Sequence, residues 1–169
     1  MDPVLASIEG TALSTVLENA FLQCAAREDA CVLIISRPSA ALAIARSIHN
    51  RSSRAGGPLT VVDCHDSGSS WAERLTQALT AGGATESGTL LLREIGEMSL
   101  AEQYRLADQL KHLRLHAKGP RIIVSNSTPL ADRVEAGDFD DRLFYRLNTI
   151  SLVGDDWRTV GAGRSRSQA

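Results

Sequence analysis

Five short apolar runs punctuate the chain at wide intervals, and helical patterns fill the spaces between them. They are CVLIIS at 31–36, LTVVD at 59–63, TLLL at 89–92, RIIVS at 121–125 and NTISLV at 148–153. Each is too short for a helix, CVLIIS is rich in β-branched residues, and each is apolar on both faces, which reads as a strand buried in a sheet. Parallel neighbours need a crossover helix between them. The alternation therefore predicts an α/β fold, a parallel sheet covered by helices on both sides in three layers. Such sheets bind ligands beyond the carboxyl ends of their strands. The loops after Ile35, Asp63, Leu92 and Ser125 are the places to search for function.

The intervening segments support this reading. Leu13, Val16, Leu17, Ala20 and Cys24 recur at helical spacing and predict an amphipathic helix over 11–26, with those residues inward. Pro38 opens the next helix, with Leu42, Ala45 and Ile48 facing in. Ser70 with Glu73 forms a capping box for a third helix, which Gly82 and Gly83 end. Ser99 with Glu102 opens a fourth, which buries Leu106, Leu110 and Leu113 and runs to about Ala117 before Gly119 and Pro120. Short helices then carry Leu130, Val134, Leu143 and Leu147. The Gly-, Arg- and Ser-rich tail reads as disordered, leaving one domain over 1–156 and a tail over 157–169.

Composition excludes several classes. With 43% hydrophobic residues the chain can build a core. A net charge of −2 leaves little surplus to neutralise a phosphate backbone, so direct nucleic-acid binding is not expected. No run is long enough to span a membrane, and the N-terminus lacks the basic start of a signal peptide. Three cysteines, Cys24, Cys31 and Cys64, an odd number with no paired spacing, fit a reducing cytoplasm better than a disulfide framework.

Three segments carry a family resemblance, in family order, over about 31–152. CVLIISRPSAALAIARSIHNRSSRAGGPLTVVDC is similar to the strand, P-loop, ARAIH-like helix and second strand of sigma-54-dependent transcriptional activators. GTLLLREIGEMSLAEQYRLADQL resembles their GTLFLDEIGEL segment, and RIIVSNSTPLADRVEAGDFDDRLFYRLN resembles the segment that ends in YYRLN. The combination of REIGEM, VEAGDF and LFYRLN at this spacing is specific. The resemblance implies an AAA+ α/β core of P-loop NTPase type, five parallel strands in the order 5-1-4-3-2; the helical lid of the family is not expected here.

The departures from the family pattern bear on chemistry. A P-loop wraps phosphates with backbone N–H groups freed by glycines, and a Lys reaches the terminal phosphates. Here the stretch SRPSAALA at 36–43 has no Gly and no Lys and is one residue short. The relic positions are Ser36, Arg37, Pro38, Ser39 and Ala40. Where the family's Mg²⁺-holding Asp stands, this chain has Arg93, followed by Glu94. A guanidinium cannot ligate Mg²⁺, so Arg93 is expected to pair with Glu94 or with Asp63. The family's sensor Asn aligns with Ser127, with Asn126 beside it. Asp140 replaces the arginine finger, with Arg142 two positions later, while Arg146 is kept. Only 23 residues separate Cys64 from Gly88, with no GAFTGA-like insertion, and neither a lid nor a helix-turn-helix is expected after the fifth strand.

Other clusters weigh less. Asp63, Cys64, His65 and Asp66 are consecutive at a strand end and so diverge rather than converge on a metal. His112 and His116 are one helical turn apart, but no Glu completes an H-E-x-x-H zinc motif. Trp71 suits a core, and Trp157 suits either an interface or the solvated tail. No metal and no cofactor is expected, and neither is ATPase activity. The expected function is a non-catalytic AAA+-like regulator, a monomer or dimer. It would modulate transcription by contact with an AAA+ activator, a sensory protein or itself. Apolar surface near Pro38 and Leu42, or Trp157, would make the contact. The alternative is a nucleotide-binding module or weak ATPase in a mixed ring.

Overall fold

The apolar run Val32–Ile35 forms an interior strand of the sheet, with neighbours on both sides. It is β1, and it pairs in parallel with β4 (Arg121–Asn126) on one side and β5 (Ile150–Val153) on the other. β4 in turn pairs with β3 (Thr89–Arg93), and β3 with β2 (Leu59–Asp63). The sheet order is β2-β3-β4-β1-β5, the expected order read from the other edge. The structure is a computed structural model that describes residues 20, 22–27, 29–65, 73, 75–77, 88–115 and 119–154, with the side chains of 112–115 outside that description.

Alternation along the strands sorts the core into two clusters. Val32, Ile34, Leu91 and Ile123 project to one face and pack against Ala25 and Ala26 of α1 (residues 22–27) and Ala41, Ala45 and Ile48 of α2 (Pro38–Arg51). Leu33, Ile35, Leu90, Leu92, Ile122 and Val124 project to the other. There they meet Leu75 of α3 (residues 75–77), Leu106 and Leu110 of α4 (Leu100–Leu115), and Leu143 and Leu147 of α6 (Asp141–Leu147). A short helix α5 (Ala131–Glu135) precedes α6. The result is the three-layer α/β arrangement expected. Among the described residues, no helix is long and apolar enough to cross a membrane.

Several local expectations need correction. Cys24 is exposed, and Ala25 and Ala26 face inward instead. Small alanines allow α1 to lie close to the sheet, so the inner face is turned from the one the larger residues suggested. Leu13, Val16 and Leu17 lie outside the described residues. In α2, Ala45 and Ile48 are buried as expected, but Ala41 is buried and Leu42 only partly so. β5 starts at Ile150 because Asn148 instead caps the end of α6. The edge strands are not apolar on both faces, since Val61 and Val153 are exposed. The capping box at α4 forms as predicted: Ser99 N donates to Glu102 Oε2 at 2.7 Å, and Glu102 N to Ser99 Oγ at 3.4 Å. Ser70, Gly82, Gly83, Ala117 and the tail from 155 onward lie outside the described residues.

Candidate functional site

The carboxyl ends of the strands bring together the residues singled out from sequence. β1 ends at Ile35 and α2 begins at Pro38, so a turn of two residues, Ser36 and Arg37, joins them. Ser36 N donates to Asn126 O at 3.1 Å, which ties the turn to β4. The Ser36 side chain points into the molecule at 1% exposure, and its Oγ has no partner. It lies against the end of β5, where a Cβ built on Gly154 would fall 2.8 Å from Ser36 Oγ. Pro38 occupies the first turn of α2 and supplies no N–H, and Arg37 at the cap is exposed. Ser39 is exposed and Ala40 half-buried.

Arg93 ends β3 directly opposite Asp63, its register partner on β2. Its guanidinium lies 3.7 Å from Asp63 Oδ2, which selects Asp63 over Glu94 as its partner. Glu94 turns away because its backbone is left-handed, at φ 51° and ψ 49°. For a residue other than Gly this conformation stores strain. It aims the carboxylate at the next strand end, where Ser127 Oγ donates to Oε1 at 2.7 Å and Ser127 N to Oε2 at 3.3 Å. Asn126 is buried and occupied: its Oδ1 accepts from Gly96 N at 2.9 Å, and its Nδ2 donates to Thr128 O at 2.8 Å. It thereby pins the 3₁₀ turn Ile95–Glu97 that follows Glu94.

Asp140 is a helix cap. Its Oδ1 accepts from Leu143 N at 2.8 Å at the start of α6, a position that suits Asp because helix N-termini expose N–H groups. Arg142 is exposed in the first turn of α6, and Arg146 donates to Ala107 O of α4 at 2.7 Å. The consecutive residues at the end of β2 diverge as expected. Asp63 meets Arg93, Cys64 is buried and His65 is exposed. Asp66, Trp71, His116 and Trp157 lie outside the described residues, as does the His112 side chain. Among the described residues, no group of three His, Cys, Asp or Glu could hold a metal.

Sequence reasoning missed Gln103, which is 0% exposed. Its Nε2 donates to Met98 O at 2.9 Å and to Asp138 O at 3.1 Å, and its Oε1 accepts from Asp140 N at 2.7 Å. The side chain thus fixes the entry to α6 relative to α4. The available signal was a polar residue at 103, in phase with Leu106 and Leu110 on the apolar stripe.

Comparison with known proteins places this geometry. A family model described as the sigma-54 interaction domain matches residues 10–153. The sigma54-dependent transcriptional activator SfnR of Pseudomonas putida is 32% identical over 155 residues, covering 79% of this chain and 42% of that protein. The regulatory protein AtoC of Escherichia coli K12 is 36% identical over 133 residues, 65% of this chain and 28% of that protein. The chain therefore spans less than half the length of these relatives. The P-loop NTPase domain of an E. coli sigma-54 activator superposes with a TM-score of 0.63 at 18% identity, covering 80% of this chain and 98% of that one. NtrX of Brucella abortus in complex with ATP gives 0.64 at 24% identity, covering 83% and 36%. At these identities the structural likeness speaks for the fold.

Proposed function

The chain belongs to the sigma-54 interaction domain family, and from that premise we propose that it is a non-catalytic member, an AAA+ core that modulates transcription through protein–protein contacts. The single observation that carries this reading is the two-residue turn between β1 and α2. A phosphate cradle is a run of backbone N–H groups converging on one point, and it needs several residues of loop to form. Ser36 and Arg37 are too few, and Pro38 subtracts a donor from the helix terminus that would complete the cradle.

A nucleotide with Mg²⁺ does not fit the residues present. The Ser36 side chain points inward and lies close to Gly154, so of the two turn residues only Arg37 faces solvent. The permanently charged Arg93 stands where the family's metal-holding carboxylate would be, and Asp140 serves as a cap. Glu94 alone cannot carry hydrolysis without a positioned phosphate and metal. The partner follows from the family: an intact activator, a sensory protein or a second copy, with no direct contact to nucleic acid.

Two measurements test the proposal together. The purified chain is assayed for phosphate release from Mg-ATP, and it is mixed with an intact sigma-54-dependent activator from the same cell while that activator's ATPase rate is followed. The expected result is no phosphate release by the chain alone and a changed rate for the activator. Turnover by the chain alone that rises with its own concentration would instead establish a nucleotide-using module acting in a ring.

A further inference from the structure

The ends of β2 and β3 carry two carboxylates, and the structure uses all four of their oxygens. Asp63 Oδ1 accepts from His65 N at 3.2 Å, and Asp63 Oδ2 faces the Arg93 guanidinium at 3.7 Å. Both Glu94 oxygens accept from Ser127, one from its hydroxyl and one from its backbone N–H. A divalent cation needs several free oxygen ligands, with at least one carboxylate among them. Here it would meet carboxylates that already have partners and would sit beside a fixed positive charge.

We infer that Arg93 is a built-in counter-cation for Asp63, so that this end of the sheet is electrostatically complete without a divalent metal. The geometry favours this role over chance proximity. Asp63 and Arg93 are register partners on adjacent parallel strands, so the backbone ladder itself sets them side by side. Cys64 N donates to Arg93 O at 2.9 Å, which carries the ladder one step past the pair and holds both strand ends together. Arg93 Nε is buried with no hydrogen-bond partner, so a full set of hydrogen bonds is not what holds the guanidinium there. Its charge opposite Asp63 is the remaining attraction. An Arg stays charged at every working pH, so the counter-cation is permanent, whereas a bound metal exchanges with solvent. The structure around the strand ends is then insensitive to Mg²⁺.

This inference rests on the preceding reading only in taking the site as metal-free, and the two fail separately. A chain that does not hydrolyse ATP can still bind a divalent ion at these carboxylates. The test uses the full chain without nucleotide and Mn²⁺ as a paramagnetic probe, read by the loss of its free-ion spin-resonance signal and by thermal melting. Wild type is expected to leave the Mn²⁺ signal unchanged and to melt at the same temperature with and without the ion. Arg93→Asp, which puts a carboxylate opposite Asp63, is expected to take up Mn²⁺ and to melt higher in its presence. Because that variant risks misfolding, a charge-coupling test stands beside it. Arg93→Gln should lower the melting temperature by about 1–3 °C. Adding Asp63→Asn should recover most of that loss, since the lone carboxylate is then gone. Mn²⁺ uptake by wild type would overturn the inference. So would an Arg93→Asp protein that folds but ignores Mn²⁺, or an Arg93→Gln loss that is the same with and without Asp63→Asn.

Discussion

Gln103 sits among leucines at 0% exposure and still engages both ends of its amide. Replacing it with Leu would keep the volume but strand Met98 O, Asp138 O and Asp140 N without their partner. Unmet buried groups cost about 1–3 kcal/mol each, and relaxation recovers part of that. Gln103→Leu is therefore expected to lower stability by about 2–4 kcal/mol in urea unfolding, with the midpoint falling and the slope unchanged. Asp140 shows how sequence and structure can assign one residue differently. Aligned against the family it reads as a lost arginine finger. In its own surroundings it caps the first turn of α6 and accepts from Leu143 N. The local signal, an Asp just ahead of a helical pattern, is present in the sequence. Ser127 is similar, since nothing in the letters SNS shows which residue will meet Glu94.

The strands were legible because short, mostly apolar runs bounded by turn and helix signals admit little else, and the structure shifts their ends by no more than two residues. Helix phase was harder. The spacing of Leu13 to Cys24 predicts a different inner face for α1, yet the alanines at 25 and 26 make the contact with the sheet. What holds α1 in place was illegible, because it comes from far along the chain. Arg121, which opens β4, is buried and donates to the carbonyls of Ala25 and Ala26 at the end of α1. Cations favour that end of a helix. Beside it, Arg54 grips both oxygens of Asp29 at 2.9 Å and reaches Gly119 O at 3.1 Å, joining three loops at the amino ends of the strands. The hydrogen bond from Arg54 holds the Asp29 carboxyl below its ordinary value of 3.8, outweighing the opposing effect of burial. The sign follows from linkage: a depressed carboxyl contributes stability that is present above 3.8 and lost as pH falls through the lower folded value. Asp29 is largely exposed, so the contribution is that of a surface pair. Asp29→Asn is expected to cost about 0.5 kcal/mol at neutral pH. The gap to wild type should close in acid below 3.8, as followed by urea unfolding at a series of pH values.

At the scale of the whole molecule, the structure moves the candidate contact surface. Pro38 and Leu42 are expected to expose apolar area, but both are half-buried, and Leu42 of α2 packs in part against the core. The large apolar side chains that do reach solvent among the described residues include Leu100 and Tyr104 on α4 and Tyr145 on α6. Tyrosines of this kind are frequent anchors in protein interfaces. On the proposed reading, with a two-residue turn between β1 and α2 and Asp140 as a helix cap, no described residue ties a ring joint to nucleotide. Light scattering at micromolar concentration should give a monomer or a two-fold dimer, unchanged by ATP. A hexamer that forms only with ATP would show that the joint survives. The most direct test of the account is a calorimetric titration of the purified chain with Mg-ATP. A two-residue turn in place of a P-loop, with Arg93 held against Asp63, predicts millimolar affinity or weaker, a binding free energy no stronger than about −4 kcal/mol. A micromolar isotherm with one site per chain would contradict it.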